Sequence, residues 1–307
     1  MRDVCTISDY QENLAGVGRA IPAMLEVFSD HGIHVTWATV GFIFHKNVNE
    51  LRKEFPTCLP RYEQKNLSPY EYISGTENLE LPYHFAPQLI KKISEYSGHE
   101  VASHTYSHYY CLESGQTKEN FRSDIAAAVK VASENGFSIR SLVFPRNQWN
   151  PDYLSMLSEF GIQCFRGNPN SWLYKSTTLE KQSFFQRLVQ LIDCYLNLTG
   201  HHTHHVERSL NGAPVNIRAS RFLRPHLPLL SVLDGLRLRR ITRAMDDAAK
   251  HNRVFHLWWH PHNFGLHTDK NIAFLKRIAA HFLKLQSEYG MRSLNMGEIA
   301  ESVHARP

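Results

Sequence analysis

The stretch HEVASHTYSH (99–108) ends in two histidines four residues apart, His104 and His108. Side chains three or four apart share a face wherever the backbone turns as a helix does, so such a pair can converge on one metal ion. The competing reading is a surface turn carrying two solvated imidazoles. A second concentration lies in HLWWHPHNFG (256–265), where His256, Trp258, His260 and His262 alternate onto one face of a strand. They cannot all be catalytic: His256 reads as an interior histidine, and His262, past the strand end, as a substrate contact. Arg146 in FPRN offers a planar guanidinium fork that could hold a carboxylate in place, or form an ordinary surface ion pair. Asp9 taken alone is as much a cap or turn residue as a ligand. HHTHH (201–205) packs four histidines into five residues, but no predicted strand or helix fixes it, and a mobile loop is expected. Cys111 reads as a small buried hydrophobe.

These residues need a scaffold, and the chain supplies an alternating one. Strand-like segments are expected at 4–8, 33–41, 99–103, 140–144, 162–166, 253–259 and 291–295, with helical stripes at 19–32, 86–98, 117–136, 151–161 and 269–289. Strands alternating with helices imply a parallel sheet, and seven of them suggest closure into a barrel, whose active site lies at the C-terminal strand ends. Ser8, Asp9, His104, His108, Arg146, His260 and His262 all fall at such ends. That coincidence on one rim favours a metal or catalytic site over a solvated turn.

Two segments interrupt the alternation. Residues 45–85 lack clear periodicity and are expected to be a long rim loop. Residues 170–250 form a helical insertion with a wide apolar face over 179–198, followed by Arg218, Arg221, Arg224, Arg237, Arg239 and Arg240. No repeat or linker appears, so residues 1–307 read as one domain.

The chain has 307 residues, 42% of them hydrophobic, enough for a barrel-sized core. Its net charge of +5 comes from scattered lysines and arginines, and no nucleic-acid-binding motif is present. Five cysteines without CxxC spacing argue against a disulfide framework. With no apolar leader-like run at the N-terminus and no membrane-length segment, a cytoplasmic protein is expected. The apolar helix beside basic residues adds either a peripheral membrane contact or a homodimer interface.

Together these segments resemble the NodB-type polysaccharide deacetylases, carbohydrate esterase family four, in the branch found in bacterial surface-polysaccharide clusters. HVTWATVG (34–41) is similar to the family's second strand, HEVASHTYSH to its metal-binding motif, FPRNQ (144–148) to its third motif and HLWWHPHNFG to its fifth. The likeness runs from residue 3 to about 168 and again from 253 to 300. It implies an α/β fold, a distorted seven-stranded (β/α) barrel. It also implies a divalent metal, Zn2+ foremost, on Asp9, His104 and His108, an open set that leaves room for water and a substrate carbonyl. Asp9, Arg146 and His260 would be catalytic, with His260 the general acid. Tyr10, through its backbone N–H, would stand with Trp149 and His262 as substrate-binding residues.

The first motif departs from the family pattern. Thr6-Ile7-Ser8-Asp9 carries Ser8 where the family has its general base, and a hydroxyl of ordinary pKa is no base near pH 7. Either another group supplies the base, or the register shifts so that Asp9 is the base and Glu12 lies near the metal, or the site binds without catalysing. The fourth motif has no clear match. The expected activity is metal-dependent removal of an N-acetyl group from a sugar of a bacterial surface glycan (O-antigen or capsule) or its precursor. The alternatives are hydrolysis of another C–N bond and a non-catalytic glycan-binding protein.

Overall fold

The computed structural model describes residues 7–76, 79, 81–176, 178, 183–209 and 212–305. Five strands, Val35–Thr39 (β1), His99–Ser103 (β2), Ser141–Val143 (β3), Cys164–Arg166 (β4) and Val215–Asn216 (β5), form one parallel sheet in chain order. Arg221–Phe222 (β6) and Leu257–Trp258 (β7) form a separate parallel pair. The α/β class and parallel pairing match expectation. Among the described residues, however, the strands stand as two sheets and not as one closed ring.

Helices join the parallel strands. The helix Lys118–Glu134, between β2 and β3, starts at a capping box in which Thr117 and Asn120 bond each other's backbone N–H groups. Its stripe of Phe121, Ile125, Ala128 and Ala132 is buried against the sheet's core. Burying Phe121 and Ile125 contributes about 1.5–3 kcal/mol each. The helix Val17–Asp30 buries Met24, Leu25 and Phe28 and packs against the helix Thr268–Tyr289.

Among the described residues, neither the expected strand at 4–8 nor the one at 291–295 is found. Of residues 4–8, the first three lie outside the described residues, and Ile7–Ala15 is a helix. Residues 291–295 form an extended connection into the helix Met296–His304. Their polar groups are met by side-chain bonds instead of a ladder: Ser293 Oγ accepts His34 N–H at 3.0 Å, and Asn295 Nδ2 donates to Gly98 O at 3.3 Å. The insertion supplies β5 and β6 in their place.

Residues 45–85 are not an open loop. Short helices at Val48–Lys53, Pro69–Gly75 and Leu81–His84 bring Leu51, Tyr70, Ile73 and the adjoining Phe85 toward the core. The insertion holds the helices Phe184–Asp193 and Asp234–Lys250; residues 179–182 of the expected apolar helix lie outside the described ones. Asp193 is fully buried and accepts from Tyr174 Oη (2.7 Å), Thr199 Oγ1 (2.8 Å) and Arg221 Nη1 (2.5 Å), with Arg240 at 3.6 Å. Burial opposes its charge, but Arg221 and these donors prevail and hold its carboxyl well below the usual range. Arg221, Arg237 and Arg240 are therefore interior groups, unavailable to a membrane surface.

HHTHH is likewise held in place. His204 exchanges both backbone bonds with Val254 (3.2 and 2.8 Å), and His202 Nε2 lies 2.7 Å from Thr199 Oγ1. The wide face of the helix Phe184–Asp193 does stay open, with Phe184 83% and Phe185 65% exposed. Among the described residues no helix is long and apolar enough to cross a membrane.

Candidate active site

Parallel strands place their C-terminal ends on one side, and His104, His108 and Arg146 follow the sheet's strands there. His104 follows β2 directly, and its backbone N–H donates to Thr39 O at the end of β1 (2.8 Å). Its Nδ1 lies 2.6 Å from Val143 O at the end of β3. A carbonyl can only accept, so Nδ1 carries the proton and Nε2 keeps its lone pair. The rings of His104 and His108 stand 4.9 Å apart, and His108 Nδ1 lies 3.1 Å from Tyr110 Oη.

The turn between them is strained, with Thr105 at φ 65° and His108 at φ 63°. Asp124, buried on the helix Lys118–Glu134, clamps it. Its Oδ1 accepts Tyr106 N–H at 2.7 Å, and its Oδ2 accepts Ser107 N–H at 3.2 Å, the Ser107 hydroxyl in a short contact and the Tyr70 hydroxyl at 3.3 Å. Asp124 was not foreseen from the sequence, though a signal existed: it is the one acid in the apolar stripe Phe121, Asp124, Ile125, Ala128.

β3 runs into Pro145–Asn147, where Arg146 and Asn147 both take positive φ (54° and 55°). Arg146 lies over the Tyr110 ring, its Cζ 4.7 Å from the centroid. β7 leads to His260, which stacks on His262 with centroids 5.1 Å apart. Tyr10, on the helix Ile7–Ala15, meets His262 edge-on at 5.4 Å and donates its hydroxyl to Asn263 Oδ1 at 2.7 Å. Arg166, at the end of β4, is a further residue the sequence reading missed. It is buried, donates from Nη2 to Asn147 Oδ1 at 2.7 Å, and sets its Cζ 4.1 Å from the Trp258 centroid.

His104, His108, Arg146, Arg166, His260, His262 and Tyr10 all line one cavity of about 2270 Å³, more room than one small molecule needs. His104, His108, His260 and His262 are held neutral. Burial, with Arg166 adding to it, brings His104 down to about 4, and burial with the His104 charge takes His108 well below its ordinary value. His260 is exposed by surface area and lines the cavity, yet the protein packed around it, then His262, His104 and Arg166, lowers it to about 3. Burial brings His262 to about 4.

Trp149 and Asp9 stand elsewhere. Trp149 packs on Phe165 with centroids 5.5 Å apart and does not line the cavity. Ser8 and Asp9 are exposed in the first turn of the helix Ile7–Ala15, and neither lines the cavity. Cys111 is buried, as expected of a small hydrophobe.

Residues 15–165, beginning in the helix before β1 and ending within β4, match the family model for polysaccharide deacetylases. Over this segment the chain belongs to the polysaccharide deacetylase family. No curated protein matches it. Among solved structures, this polysaccharide deacetylase family chain is similar to a Mycobacterium smegmatis protein described as a polysaccharide deacetylase, at 16% identity and TM-score 0.57, covering 97% of this chain and 79% of that one. It is also similar to the 4-alpha-glucanotransferase of Thermococcus litoralis, at 11% identity and TM-score 0.51, covering 97% of this chain and 36% of that one. A GH57-type branching enzyme from the archaeon Pyrococcus horikoshii gives 10% identity and TM-score 0.51, over 94% of this chain and 65% of that one. At such identities the likeness is one of fold.

The metal that the family resemblance implies finds a partial fit here. His104 has a bonded Nδ1 and a free Nε2 beside His108, the arrangement of a metal-ligating imidazole. Yet among the described residues no three His, Cys, Asp or Glu side chains gather closely enough to hold an ion. Two imidazole donors are assembled, and the carboxylate is not.

Proposed function

We propose that this chain is a hydrolase that removes the N-acetyl group from a sugar of a bacterial surface glycan or its precursor. His104 and His108 are the donors for a divalent ion, Zn2+ foremost, and His260 moves the proton. When bound, such an ion would polarise the acetamide carbonyl and acidify a water. His260 enters the reaction neutral, so it first takes a proton from the attacking water at the carbonyl carbon. It then delivers that proton to the sugar nitrogen as the C–N bond breaks, releasing acetate and a free amine. A neutral His260 thereby takes the base role for which Ser8 is unsuited. Arg146 and Tyr10 line the cavity on either side of the histidines and would position the sugar.

The single observation that carries this reading is the His104–His108 pair, with His104 fixed by Val143, inside a segment that matches the deacetylase family. The absence of any Asp or Glu among the described residues lining the cavity favours one alternative, a glycan-binding protein without turnover. The test is acetate release from N-acetylglucosamine oligosaccharides by chelator-stripped and Zn2+-reloaded protein, with elemental analysis of bound metal. Release restored by metal, and metal lost in His104→Ala and His108→Ala, is the expected result. Asp9→Asn should keep its metal, because Asp9 stands apart from the pair; loss would mean that the helix Ile7–Ala15 rearranges on binding. Oligosaccharide binding without acetate release would establish the alternative.

A further inference from the structure

Arg166 is the group this mechanism leaves unexplained. It ends a strand of otherwise apolar character, is 8% exposed, and lies with one face on Trp258. One terminal nitrogen is satisfied by Asn147, while its Nε is buried without a hydrogen-bond partner among the described residues. Burial lowers its pKa only to about 9, so it remains a cation at neutral pH. A buried guanidinium normally has a carboxylate partner, because desolvating a lone charge is strongly unfavourable. None of the described residues lining this cavity is Asp or Glu, whereas Arg146, Lys175, Arg187, Arg224, Arg253 and Arg292 line it with Arg166. His256 also lines the cavity, and after burial the Arg166 charge is the next cause that lowers it. A molecule entering here therefore meets a cationic lining in which the Arg166 Nε–H has no hydrogen-bond acceptor among the described residues.

We propose that the cavity takes a substrate bearing an anionic oxygen group, a carboxylate or a phosphate, seated on Arg166 where the guanidinium lies between Trp258 and Asn147. The proposal rests on the deacetylase reading only in making the ligand a sugar derivative. Arg suits this role because its planar, weakly hydrated fork tolerates an apolar wall while presenting its N–H edge to two oxygens. Trp258 stands 5.6 Å from His260, so the anion would be anchored beside the group that moves the proton. An acidic sugar would bring a carboxylate; a nucleotide- or lipid-linked sugar would bring a phosphate.

Titration calorimetry of the full chain at constant ionic strength, with D-glucuronate, inorganic phosphate and neutral N-acetylglucosamine, tests this. At least one anion should bind about tenfold or more tightly than the neutral sugar, and Arg166→Gln should weaken it about ten- to a hundredfold. Glucuronate alone would identify a carboxylate, and phosphate alone a phosphate carrier; either supports the proposal. No preference for an anion, or undiminished binding in Arg166→Gln, would overturn it. Should that variant fail to fold by circular dichroism, a crystal of the wild-type protein with the better anion decides. An anion oxygen within hydrogen-bond distance of Arg166 Nε is expected there, and an anion bound elsewhere refutes the assignment. No turnover is needed: if the Zn2+-reloaded protein releases no acetate from N-acetylglucosamine oligosaccharides, the deacetylase reading falls while anion binding at Arg166 leaves this one standing.

Discussion

Replacing Asp124 with alanine should loosen the histidine turn more than any change to the histidines themselves. The carboxylate is 1% exposed and meets two backbone N–H groups and two hydroxyls. Truncation strands the Tyr106 and Ser107 N–H groups in the interior, at about 1–3 kcal/mol each, or about 2–5 kcal/mol together allowing for local relaxation. Unfolding entropy near 2.1 cal/mol/K per residue over 307 residues gives about 0.65 kcal/mol/K, so the melting temperature should fall roughly 3–8 °C at pH 5. The effect depends on pH. Burial, against its hydrogen bonds, raises the Asp124 carboxyl from 3.8 to about 6, so the folded state holds that proton more tightly than the unfolded chain does. Stability from this group is present below about pH 4 and is lost as pH rises through 6, a swing of about 3 kcal/mol at 1.36 kcal/mol per unit. Between pH 5 and pH 7.5 about 1.4 kcal/mol of that swing remains, so the gap between wild type and variant should narrow by roughly 2 °C. Scanning calorimetry of both proteins at the two pH values measures this. A gap below 1 °C at pH 5, or one that does not change with pH, would refute the clamp.

Two other outcomes follow from the geometry. With His260 held at about 3, kcat/KM for acetate release should be nearly flat between pH 5 and 7, where a histidine base of ordinary pKa would rise roughly twentyfold; a rise centred near 6.5 would remove His260 from the base role. The exposed Phe184, Phe185 and Leu188, with exposed Arg187 on the same helix, should carry the protein onto anionic vesicles at low salt. Phe184→Ser with Phe185→Ser should abolish co-sedimentation, whereas a concentration-dependent dimer in sedimentation velocity would give that face to a second copy.

Elements with strong periodicity were legible in the sequence. HEVAS was placed to the residue, because Gly98 marks its start and Val101, Ala102 and Ser103 run small or apolar into the histidine motif. The helices at 118–134 and 268–289 show clear stripes and end at Asn135 and Gly290. β5 and β6 were missed because two residues carry no periodicity at all. The helices within 45–85 had a signal that went unread: Ser68-Pro69 followed by Glu71, where the Ser68 hydroxyl accepts Glu71 N–H at 3.2 Å. In the site, the histidines were visible because their type and spacing are chemically unusual. Arg166 was not, since one arginine at a strand end looks like any surface cation until the fold buries it. Asp9 shows the reverse case, where a plausible ligand type sits on a helix that does not deliver it to the histidines.

The carboxylate of Asp193 has a consequence for how this protein could be altered or could have arisen. It lies at the end of one inserted helix, while its partners come from a 3-10 turn (Tyr174), a loop (Thr199), β6 (Arg221) and the helix Asp234–Lys250 (Arg240). Excising residues 183–198 as a detachable module would leave Arg221 and Arg240 as two uncompensated charges in the interior, a loss of several kcal/mol from a margin of about 5–15 kcal/mol. The insertion is thus not a decoration grafted onto a self-sufficient domain. Swapping it between relatives to change specificity would require moving Tyr174, Asp193, Thr199, Arg221 and Arg240 together, as a single inherited block.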